Sequence, residues 1–393
     1  MAGVLVVNAG SSSLKFALYV LEESGLAVRY RGLADGLGEE SPRLKIAGAD
    51  GAILKEGDLP PRADQEAALG VVLPWLEEHL ADVPLIAAGH RVVHGGRDFA
   101  APLVVDSKNI HTLEALSPLA PLHQPHNLAA IRAVLGLKPD LPQVACFDTA
   151  FHRRQPRVAQ RFALPRRYTE QGVLRYGFHG LSYEYIAGIL PDYDPRAAGG
   201  RTIVAHLGHG ASLCALDAGR SVATTMGFTA LDGLPMGSRC GNLDPGVILY
   251  FLQSEGLSVD AVQDILYRQS GLRGVSGISD DMRELLASSE KSAGEAIDLF
   301  VYRTVREIGS LTAALGGLDA LVFTAGIGEH AHEVRRRICE SLGWLDLRLN
   351  ADANEAGGPR VSEDGSAVAV WVIPTNEELI IARHTLAASR TSG

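Results

Sequence analysis

The feature that most constrains the fold is a pattern that occurs twice in the chain. Near the N-terminus an apolar run leads into Asn8, a glycine and three serines before the apolar pattern resumes, in "VLVVNAGSSSLKF". In the second half, "TIVAHLGHGASLCAL" repeats this outline with His206 in the place of Asn8. Each copy predicts two strands joined by a small polar turn, and the second turn is expected to be one residue longer. The repetition indicates a duplicated fold with one hairpin in each half.

The composition of the first turn exceeds what a hairpin needs. A two-strand connection requires only a short turn with glycine or asparagine, whereas this one carries three hydroxyls and is followed by Lys15. Small residues let the main chain approach an anion, so that N–H groups and hydroxyls can point at phosphate oxygens. One serine-rich hairpin is more often an ordinary turn. The sequence has two such hairpins in register. Two explanations are then about equally plausible: two ordinary turns, or two phosphate-holding turns that face each other across a cleft.

Length and periodicity predict two α/β domains. The 393 residues exceed one ordinary core, and apolar runs alternate with helical patterns, which is typical of mixed sheets flanked by helices. The strand-like runs are "VLVV", "LKFALYV", "QVACF", "TIVAHL", "ALVFTAG" and "VAVWVI". Helical spacing continues through "SAGEAIDLFVYRTVREIGSLTAALGG" and is expected to stop at Gly316. The breaker-rich "PLAPLHQPHN" predicts a surface or connecting segment, and a domain boundary is expected near Asp148.

Composition excludes several classes of function. The net charge of −10 argues against a general nucleic-acid or acidic-membrane surface. The four cysteines are far apart and form no Cys-x-x-Cys pair, so neither a zinc site nor a disulfide framework is indicated. The first residues carry no basic leader, and no run approaches the roughly 18 apolar residues of a membrane helix. We therefore expect a cytoplasmic protein that binds neither nucleic acid nor membrane.

Arginines in glycine-rich loops are candidates for anion binding. Arg91 and Arg97 lie in "GHRVVHGGRDF", and Arg239 lies in "GLPMGSRCGNLDP". The rigid guanidinium suits bidentate capture of a carboxylate or phosphate where the surrounding main chain can close in, although solvated surface arginines are commoner. His90 and His94 have the spacing of a helical metal pair, but the adjacent glycines interrupt a helix, so a metal is not expected there.

Two further polar residues lie where α/β proteins often place ligand-binding groups. Asp148 in "CFDTAFH" comes just after a predicted strand, and His179 in "RYGFHGLSY" precedes a glycine. Each also has an ordinary structural explanation, as a helix cap for Asp148 and as a packed, hydrogen-bonded side chain for His179.

The stretch "ALVFTAGIGEHAHEVRRRI" predicts a strand, a glycine turn and a helix. Gly326, Gly328 and Ala331 match a relaxed dinucleotide fingerprint, and Asp346 lies near the distance expected for a ribose contact, so a dehydrogenase is one interpretation. The motif comes late in the chain, with too few residues after it for the second half of a dinucleotide fold. A nucleotide site in which a helix start meets adenosine or phosphate accounts for more of the sequence.

Taken in order, these motifs resemble the acetate and propionate kinase family, within the sugar-kinase, Hsp70 and actin superfamily. The resemblance rests on "NAGSSSLKF", "GHRVVHGG", "FDTAFH", "RYGFHGLSY", "HLGHGAS", "MGSRCGNLDP", "GISDDMR", "AGIGEHA" and "PTNEEL", spread over nearly the whole chain. It implies a duplicated, two-domain α/β fold of the actin-like or ribonuclease H-like type, with mixed sheets flanked by helices and an interdomain cleft. The implied domains are residues 1–147 with about 379–393, and residues 148–378.

The resemblance also implies a reaction and a set of site residues. The reaction is reversible transfer of the ATP γ-phosphoryl group to acetate, giving acetyl phosphate and ADP, with Mg²⁺ (or Mn²⁺) and in a homodimer. The implied metal-side residues are Asn8 and Glu377. The implied catalytic residues are Arg91, Asp148, His179 and Arg239. The implied acyl-site residues are Arg91, Val93, Leu122, Phe178 and Ala230. The implied ATP-binding residues are Ser11, Ser13, Lys15, His206, Leu207, Gly208, His209, Gly210, Asp281, Met282, Arg283, Gly326, Ile327, Gly328, Glu329 and His330.

Elementary chemistry sharpens these roles. Acetate is already ionised at neutral pH and needs no general base, so the obstacle is to bring one anion against another. We therefore assign Arg91 to the acyl carboxylate, and Arg239 and His179 to the charge on the phosphoryl group in transfer. Asp148 is expected to orient Mg²⁺ and its waters.

The sequence departs from the family pattern at three positions. His209 replaces the asparagine of H-L-G-N-G, and His330 stands where the family often has G-E-N. Ala230 replaces the proline of F-T-P, which leaves space for an extra methylene in the acyl site, so propionate or mixed specificity stays open. A rival from another class is an Hsp70-like or actin-like ATP-driven binding module, which would have no use for Arg91 and Arg239 in glycine loops.

Overall fold

The computed structural model describes residues 2–80, 83–106 and 108–391. The strands are β1 (Gly3–Ala9), β2 (Ser13–Glu22), β3 (Gly25–Asp35), β4 (Arg43–Gly48), β5 (Ile53–Asp58), β6 (Leu85–Val92), β7 (Leu103–Val105), β8 (Gln143–Phe147), β9 (Arg201–Leu207), β10 (Ala211–Asp217), β11 (Arg220–Thr224), β12 (Ala320–Thr324) and β13 (Ala369–Val372).

The α-helices are α1 (Gln65–His79), α2 (Asn109–Glu114), α3 (Gln124–Leu137), α4 (Arg166–Glu170), α5 (Gly180–Tyr193), α6 (Pro195–Ala198), α7 (Pro245–Gln253), α8 (Val259–Arg268), α9 (Gly271–Ser276), α10 (Met282–Ala287), α11 (Lys291–Leu315), α12 (Ala325–His330), α13 (His332–Glu340), α14 (Ala351–Glu355) and α15 (Glu377–Thr391). Short 3₁₀ turns lie at Ser117–Leu119, Ala150–His152 and Gly343–Leu345. No helix in the described ranges is both long enough and apolar enough to cross a membrane.

Contacts divide the chain into two compact units. The first unit is Met1–Arg153 with Asn376–Gly393, and the second unit is Arg154–Thr375. These are clusters of contacts, so the domain limits expected from the resemblance stay a prediction. By this division, both Asp148 and Glu377 belong to the first unit.

The first unit is built on a mixed sheet of eight strands in the order β5-β4-β3-β2-β1-β6-β8-β7. β1 pairs antiparallel with β2 and parallel with β6, and β6 pairs parallel with β8. Side chains alternate between the two faces, so Leu5, Val7, Phe16 and Leu18 share one apolar cluster with residues of α1 and α3. The other face is covered by α15, which contacts β1, β2, β6 and β8.

Close packing of α15 on β6 depends on Gly89. A Cβ at this position would lie 2.0 Å from Thr385 Oγ1 and 2.7 Å from Ile381 Cγ2, so any side chain would force the helix away from the strand. Since residues two apart on a strand face the same side, Arg91 lies on the face of β6 that α15 covers. The first turn of α15 lies near the carboxyl end of β6, where Glu377 approaches Arg91.

The second unit contains a mixed sheet of five strands in the order β11-β10-β9-β12-β13. Its antiparallel pairs are β9 with β10 and β10 with β11, and its parallel pairs are β12 with β9 and with β13. This order and these directions match β3-β2-β1-β6-β8 of the first unit, which is the duplication that the two hairpins predicted. The predicted long helix is confirmed as α11, and it ends at Gly316 with φ 71°.

Three expectations were wrong in detail. The second hairpin turn is shorter than the first, because three residues separate the paired Leu207 and Ala211 and four separate the paired Ala9 and Leu14. The glycine turn expected after β12 is itself the short helix α12, with α13 following directly. The breaker-rich segment 118–127 is not only a surface connection, because its last four residues begin α3 and Gln124 and Asn127 among them are buried.

Candidate active site

The first unit places an arginine–carboxylate pair at the carboxyl ends of two parallel strands. Arg91 lies near the end of β6, and Asp148 directly follows β8 with its N–H donating to the Val92 carbonyl at 3.1 Å. Arg91 Nη2 donates to Asp148 Oδ2 at 2.7 Å, and Nε lies 3.1 Å from both carboxylate oxygens. Glu377, in the first turn of α15, places Oε2 3.9 Å from the same Nε. The carboxylates of Asp148 and Glu377 therefore flank one guanidinium.

The charge state of Arg91 is fixed by these neighbours. Burial by itself lowers the pKa of Arg91, but the charges of Asp148 and Glu377 outweigh it, so the pKa is raised and the guanidinium stays protonated. Asp148 is 1% exposed, whereas the Arg91 side chain is 22% exposed. The hydrogen bonds to Asp148 use Nε and Nη2, so Nη1 remains a donor for another anion. Arg91 thus lies within β6 and not in the glycine-rich loop that the sequence suggested, whereas Arg97 does lie in that loop and is exposed.

Two buried amides that the sequence did not single out hold the loop after β6. Asn127 accepts from the Val93 N–H at 3.0 Å and donates to the Ala9 carbonyl at 2.7 Å, and so it joins the ends of β1 and β6. Gln124 accepts from the His94 N–H at 3.2 Å and donates to the His94 carbonyl at 3.1 Å. The only signal for them in the sequence was a glutamine and an asparagine near the start of an apolar helix.

The first hairpin turn is closed by a hydrogen bond from the Gly10 N–H to the Ser13 carbonyl at 2.7 Å. Asn8, at the end of β1, pairs with Lys15 of β2, and both lie on the face that α15 covers. Ser11 and Lys15 are exposed and Ser13 is half-buried. The turn therefore presents hydroxyls and an ammonium group to solvent rather than packing them.

His90 and His94 are not arranged as a metal site. Their exposed fractions are 1% and 0%, and burial lowers the pKa of each ring to about 4, so both are neutral at physiological pH. Over the ranges that the structure describes, no three His, Cys, Asp or Glu side chains are grouped closely enough to hold a metal ion by themselves. The two histidines belong to the packed interior behind the loop.

The second unit groups imidazoles and hydroxyls at the ends of β9 and β10. The rings of His179 and His206 are stacked with centroids 4.2 Å apart. His179 Nδ1 lies 2.8 Å from Ser212 Oγ, and His206 Nδ1 lies 2.8 Å from Ser182 Oγ. His179 precedes α5 with φ 56°, an uncommon conformation for a residue with a side chain and one that occurs often at functional sites.

The second hairpin turn makes room for Arg239. A Cβ on Gly210 would lie 2.7 Å from Arg239 Nη2 and 3.3 Å from His179 Nε2, so the missing side chain lets both groups approach the turn. Arg239 Nη1 donates to the Ala230 carbonyl at 2.6 Å, which orients the guanidinium. The turn, an arginine and a histidine thus form one group of donors in the second unit.

A cavity of about 470 Å³ lies beside this turn. It is lined by Gly208, His209, Asp280, Asp281, Met282, Arg283, Leu286, Gly326, Ile327, His330 and Ala331. Its volume falls within the range of small-molecule sites. Asp280 and Leu286 were not among the sequence-based candidates, and Ala331 entered only as part of the relaxed dinucleotide fingerprint. The other ATP-binding candidates of the second unit lie within two residues of this lining in sequence: His206, Leu207, Gly210, Gly328 and Glu329.

Charged residues hold the walls of the cavity. Asp281 caps α10 by accepting from the Arg283 N–H at 2.8 Å, and the hydrogen bonds from the Arg283 side chain and main chain lower the pKa of Asp281 to about 2. Glu329 Oε1 accepts from the Ala325 N–H at 2.8 Å, where Ala325 begins α12 with φ 64°. Arg335, 1% exposed, donates to the carbonyls of Gly328 and Glu329 at 2.9 and 2.8 Å. Arg335 was also missed by sequence reasoning.

The acyl-site candidates are divided between the units. Val93 and Leu122 belong to the first unit, where Val93 is buried and Leu122 half-buried. Phe178 and Ala230 belong to the second unit, where Phe178 is 2% exposed and Ala230 is half-buried. That these four residues line one acyl site stays a prediction.

Comparison with known proteins gives one consistent result. The model of the Acetokinase family matches residues 3–383. An acetate kinase of Rhodopseudomonas palustris is 57% identical over 386 residues, covering 97% of both chains. Among solved structures, a propionate kinase from Francisella tularensis is similar at 34% identity and a TM-score of 0.92, covering 98% of this chain and 100% of that one. A Porphyromonas gingivalis acetate kinase is similar at 34% identity and a TM-score of 0.88, covering 98% and 99%.

Proposed function

The chain belongs to the acetokinase family, and from this premise we propose that the residues described above carry a reversible ATP:acetate phosphotransfer. The products of the forward reaction are acetyl phosphate and ADP. The observation that carries the proposal is the arginine–carboxylate pair of Arg91 and Asp148 at the ends of β6 and β8, with one guanidinium nitrogen left to donate. Such a pair suits an anionic acceptor that must be held without being protonated.

Arg91 is the group that we assign to the acetate carboxylate. The acid is ionised at neutral pH, so no general base is required, and the main cost of reaction is repulsion between the carboxylate and the phosphates. A guanidinium kept in place by Asp148 can donate through Nη1 to one carboxylate oxygen while the other oxygen attacks phosphorus. Asp148 thereby serves as the support of Arg91 in addition to any role toward a metal.

The second unit supplies the nucleotide side of the reaction. The cavity beside the second turn is suited to adenosine, and the N–H groups of residues 206–210 are suited to its phosphates. Arg239 and His179 lie against Gly210 of that turn, so they are assigned to the charge that spreads over the phosphoryl oxygens during transfer. The reaction requires that these groups and Arg91 act on the same phosphoryl group, which is part of the proposal.

The carboxylates beside Arg91 fit a magnesium ion. Mg²⁺ keeps several waters and is usually bound through one or two carboxylates together with substrate phosphates, so a cage of three protein ligands is not required. Asp148 and Glu377 supply two carboxylates near one point, and Asn8 supplies an amide oxygen on the same face of the sheet. The ion would neutralise phosphate charge and orient the transferring group. Mn²⁺ would fit the same hard oxygen ligands.

One assay tests the proposed reaction. Protein is incubated with ATP, Mg²⁺ and acetate in the presence of hydroxylamine, which traps an acyl phosphate as its hydroxamate. We expect hydroxamate that requires both acetate and ATP and is lost when Mg²⁺ is chelated. ATP turnover that is indifferent to acetate would contradict the proposal and favour an ATP-driven binding module instead.

The range of acids is a finer proposal. Ala230 provides the carbonyl that orients Arg239, and by resemblance it replaces a ring in the acyl site. We propose that acetate is the preferred acid and that propionate is also accepted, because one methylene changes discrimination by only about 1–3 kcal/mol. The same assay with propionate and butyrate measures kcat/KM for each. An Ala230→Pro variant should lower the propionate value more than the acetate value.

The assembly and location are also proposals. α7 contains the apolar run "VILYFL" but has no buried residue, and Leu249 and Tyr250 are 53% and 52% exposed. Exposed apolar side chains on one helix are typical of an interaction surface, and we propose that a second copy of the chain covers it in a homodimer. Analytical ultracentrifugation of the native protein tests this, and a monomer at micromolar concentration would contradict it. A cytoplasmic location stays a prediction from the sequence.

A further inference from the structure

A buried tyrosine contacts Asn376, the residue immediately before α15. Tyr19 lies on β2 and is 2% exposed, and its hydroxyl donates to Asn376 Oδ1 at 3.2 Å. The same Asn376 oxygen accepts from the Leu379 N–H at 3.0 Å, which is the geometry of a helix N-cap. One side-chain oxygen is therefore held from two directions, by the sheet and by the first turn of the helix.

Burial keeps this tyrosine in the donating form. Burial, followed by the nearby charge of Glu378, raises the pKa of Tyr19 to about 12, so its hydroxyl remains protonated throughout the physiological range. Arg31, on β3, lies 3.6 Å from Glu378, at the second position of α15. The first turn of α15 is thus attached to β2 by a hydrogen bond and to β3 by an ion pair.

The residue between these two attachments is Glu377. Asn376 and Glu378 flank it in the sequence, and its carboxylate lies 3.9 Å from Arg91 Nε. Contact of Gly89 with Thr385 and Ile381 fixes the distance of α15 from β6, but it does not by itself fix the start of the first turn. That start is determined by the cap, because the cap residue ends the extended segment and begins the helix.

We propose that Tyr19 is a positioning residue, whose hydroxyl fixes the cap Asn376 and thereby the carboxylate of Glu377 beside Arg91. The proposal rests on the proposed function, because it gives Glu377 a part in phosphoryl transfer. Tyr19 lies on β2 and Arg91 on β6, with β1 between them, and the Tyr19 hydroxyl bonds Asn376 rather than a reacting group. It acts only through the position of the helix start, so its loss should affect the reaction more than the stability of the fold.

The test compares two tyrosine-to-phenylalanine variants in the same unit. Tyr19→Phe keeps the buried ring and removes the hydroxyl. Tyr30→Phe is the matched control, because the Tyr30 hydroxyl also donates one hydrogen bond within the first unit, to the main-chain carbonyl of His79 at 3.3 Å. We expect Tyr19→Phe to lower kcat about 10-fold, as the loss of one buried hydrogen bond predicts, and to raise the Mg²⁺ concentration for half-maximal activity. Tyr30→Phe should match wild type in both measurements.

Two further measurements separate positioning from general destabilisation. In the ligand-free protein, hydrogen exchange should be faster for the amides of residues 377–380 in Tyr19→Phe, with the rest of the sheet unchanged. ADP binding measured without Mg²⁺ should remain at the wild-type value, because the nucleotide cavity belongs to the second unit. A decrease in activity accompanied by uniform faster exchange over the first unit would overturn the proposal.

A rescue experiment completes the test. Aspartate is as good an N-cap as asparagine and offers the same acceptor, so Asn376→Asp should retain most activity, whereas Asn376→Ala should lose as much as Tyr19→Phe. If both residues act through one hydrogen bond, the double variant Tyr19→Phe/Asn376→Ala should be no worse than Asn376→Ala. Additive losses, or a Tyr19→Phe variant equal to wild type, would overturn the proposal. A wild-type protein that forms no acetohydroxamate would instead refute the proposed function.

Discussion

The two units share one strand order and differ in what they place at the strand ends. In both, an antiparallel hairpin leads into two parallel strands on one side, so the turns and the carboxyl ends fall at equivalent points of the sheets. The first unit presents a charged pair there, Arg91 with Asp148. The second presents stacked imidazoles, hydroxyls and a cavity. The topology therefore determines where chemistry can occur in each unit, and the side chains determine which chemistry occurs.

A second difference concerns the groups that hold these ends in place. In the first unit the loop main chain is held by the neutral amides of Gln124 and Asn127. In the second unit the same task falls to the charged groups of Glu329 and Arg335, which bond main-chain N–H and carbonyl groups. A charged residue in a sequence motif is therefore not catalytic on that ground alone. Glu329 stands in a conspicuous glycine motif, yet its carboxylate accepts hydrogen bonds from the main-chain N–H groups of Ala325 and Thr375.

The largest effect should come from breaking the charged pair of the first unit. We expect Arg91→Lys to lower kcat by about 10³-fold, because a lysine keeps the charge but cannot both bond Asp148 in a bidentate manner and donate to an acyl carboxylate. Steady-state kinetics in the hydroxamate assay measures this. ADP binding, which the proposed function assigns to the second unit, should be retained. The comparison between the units would fail if ADP affinity fell in parallel with kcat.

An intermediate effect is expected from acid. His90 and His94 have pKa values near 4 in the folded first unit, against about 6.5 for an exposed histidine, so the unfolded chain binds more protons between these values. The stability of the first unit should therefore be constant above about pH 7 and fall by several kcal/mol as the pH drops from about 6.5 to 4. Trp75 reports on this unit once Trp344 and Trp371 are replaced by phenylalanine.

The measurement is urea unfolding of that single-tryptophan variant at pH 7, 6 and 5. A matched His90→Asn variant cannot titrate in this range and should show a flatter decline. If the urea midpoint of the reporter protein were the same at pH 7 and pH 5, the assignment of buried neutral histidines to the first unit would be wrong.

The smallest effect is expected at the cavity of the second unit. His209 Nε2 lies 3.3 Å from Asp280, but their side chains are 64% and 38% exposed, and exposed ion pairs contribute only about 0–1 kcal/mol. His209→Asn, which restores the residue that the family pattern predicts, should change the KM for ATP by less than about 5-fold. A change of 10-fold or more would show that His209 contacts the nucleotide directly.

Much of the fold was predictable because its signals are periodic and local. Alternation and apolar runs located β1, β2, β8, β9, β12 and β13, and helical spacing with a terminal glycine located α11. The two matching hairpins revealed the duplication. The length of the second turn was not predictable, since turn length depends on which residues pair across the strands. β9 and β10 are buried on both faces, so their apolar runs carry no alternation that would fix the register.

The site was predictable in its charged members and not in their supports. Arg91 and Asp148 stand in conspicuous motifs, but only the register of β6 with β8 shows that they meet. Gln124, Asn127 and Arg335 act on main-chain groups distant in sequence, and such partners leave no local pattern. Tyr19 looks like any apolar strand residue until Asn376 is placed beside it.

The division of the first unit into two stretches of sequence has a consequence for synthesis. The face of its sheet that carries Arg91 is covered by α15, whose residues come after Thr375. While the ribosome is still translating the intervening segment, that apolar face is open and has no internal partner. During synthesis there is thus a long interval in which the second unit can finish folding and the first cannot. In that interval the first unit exposes the most apolar surface to chaperones.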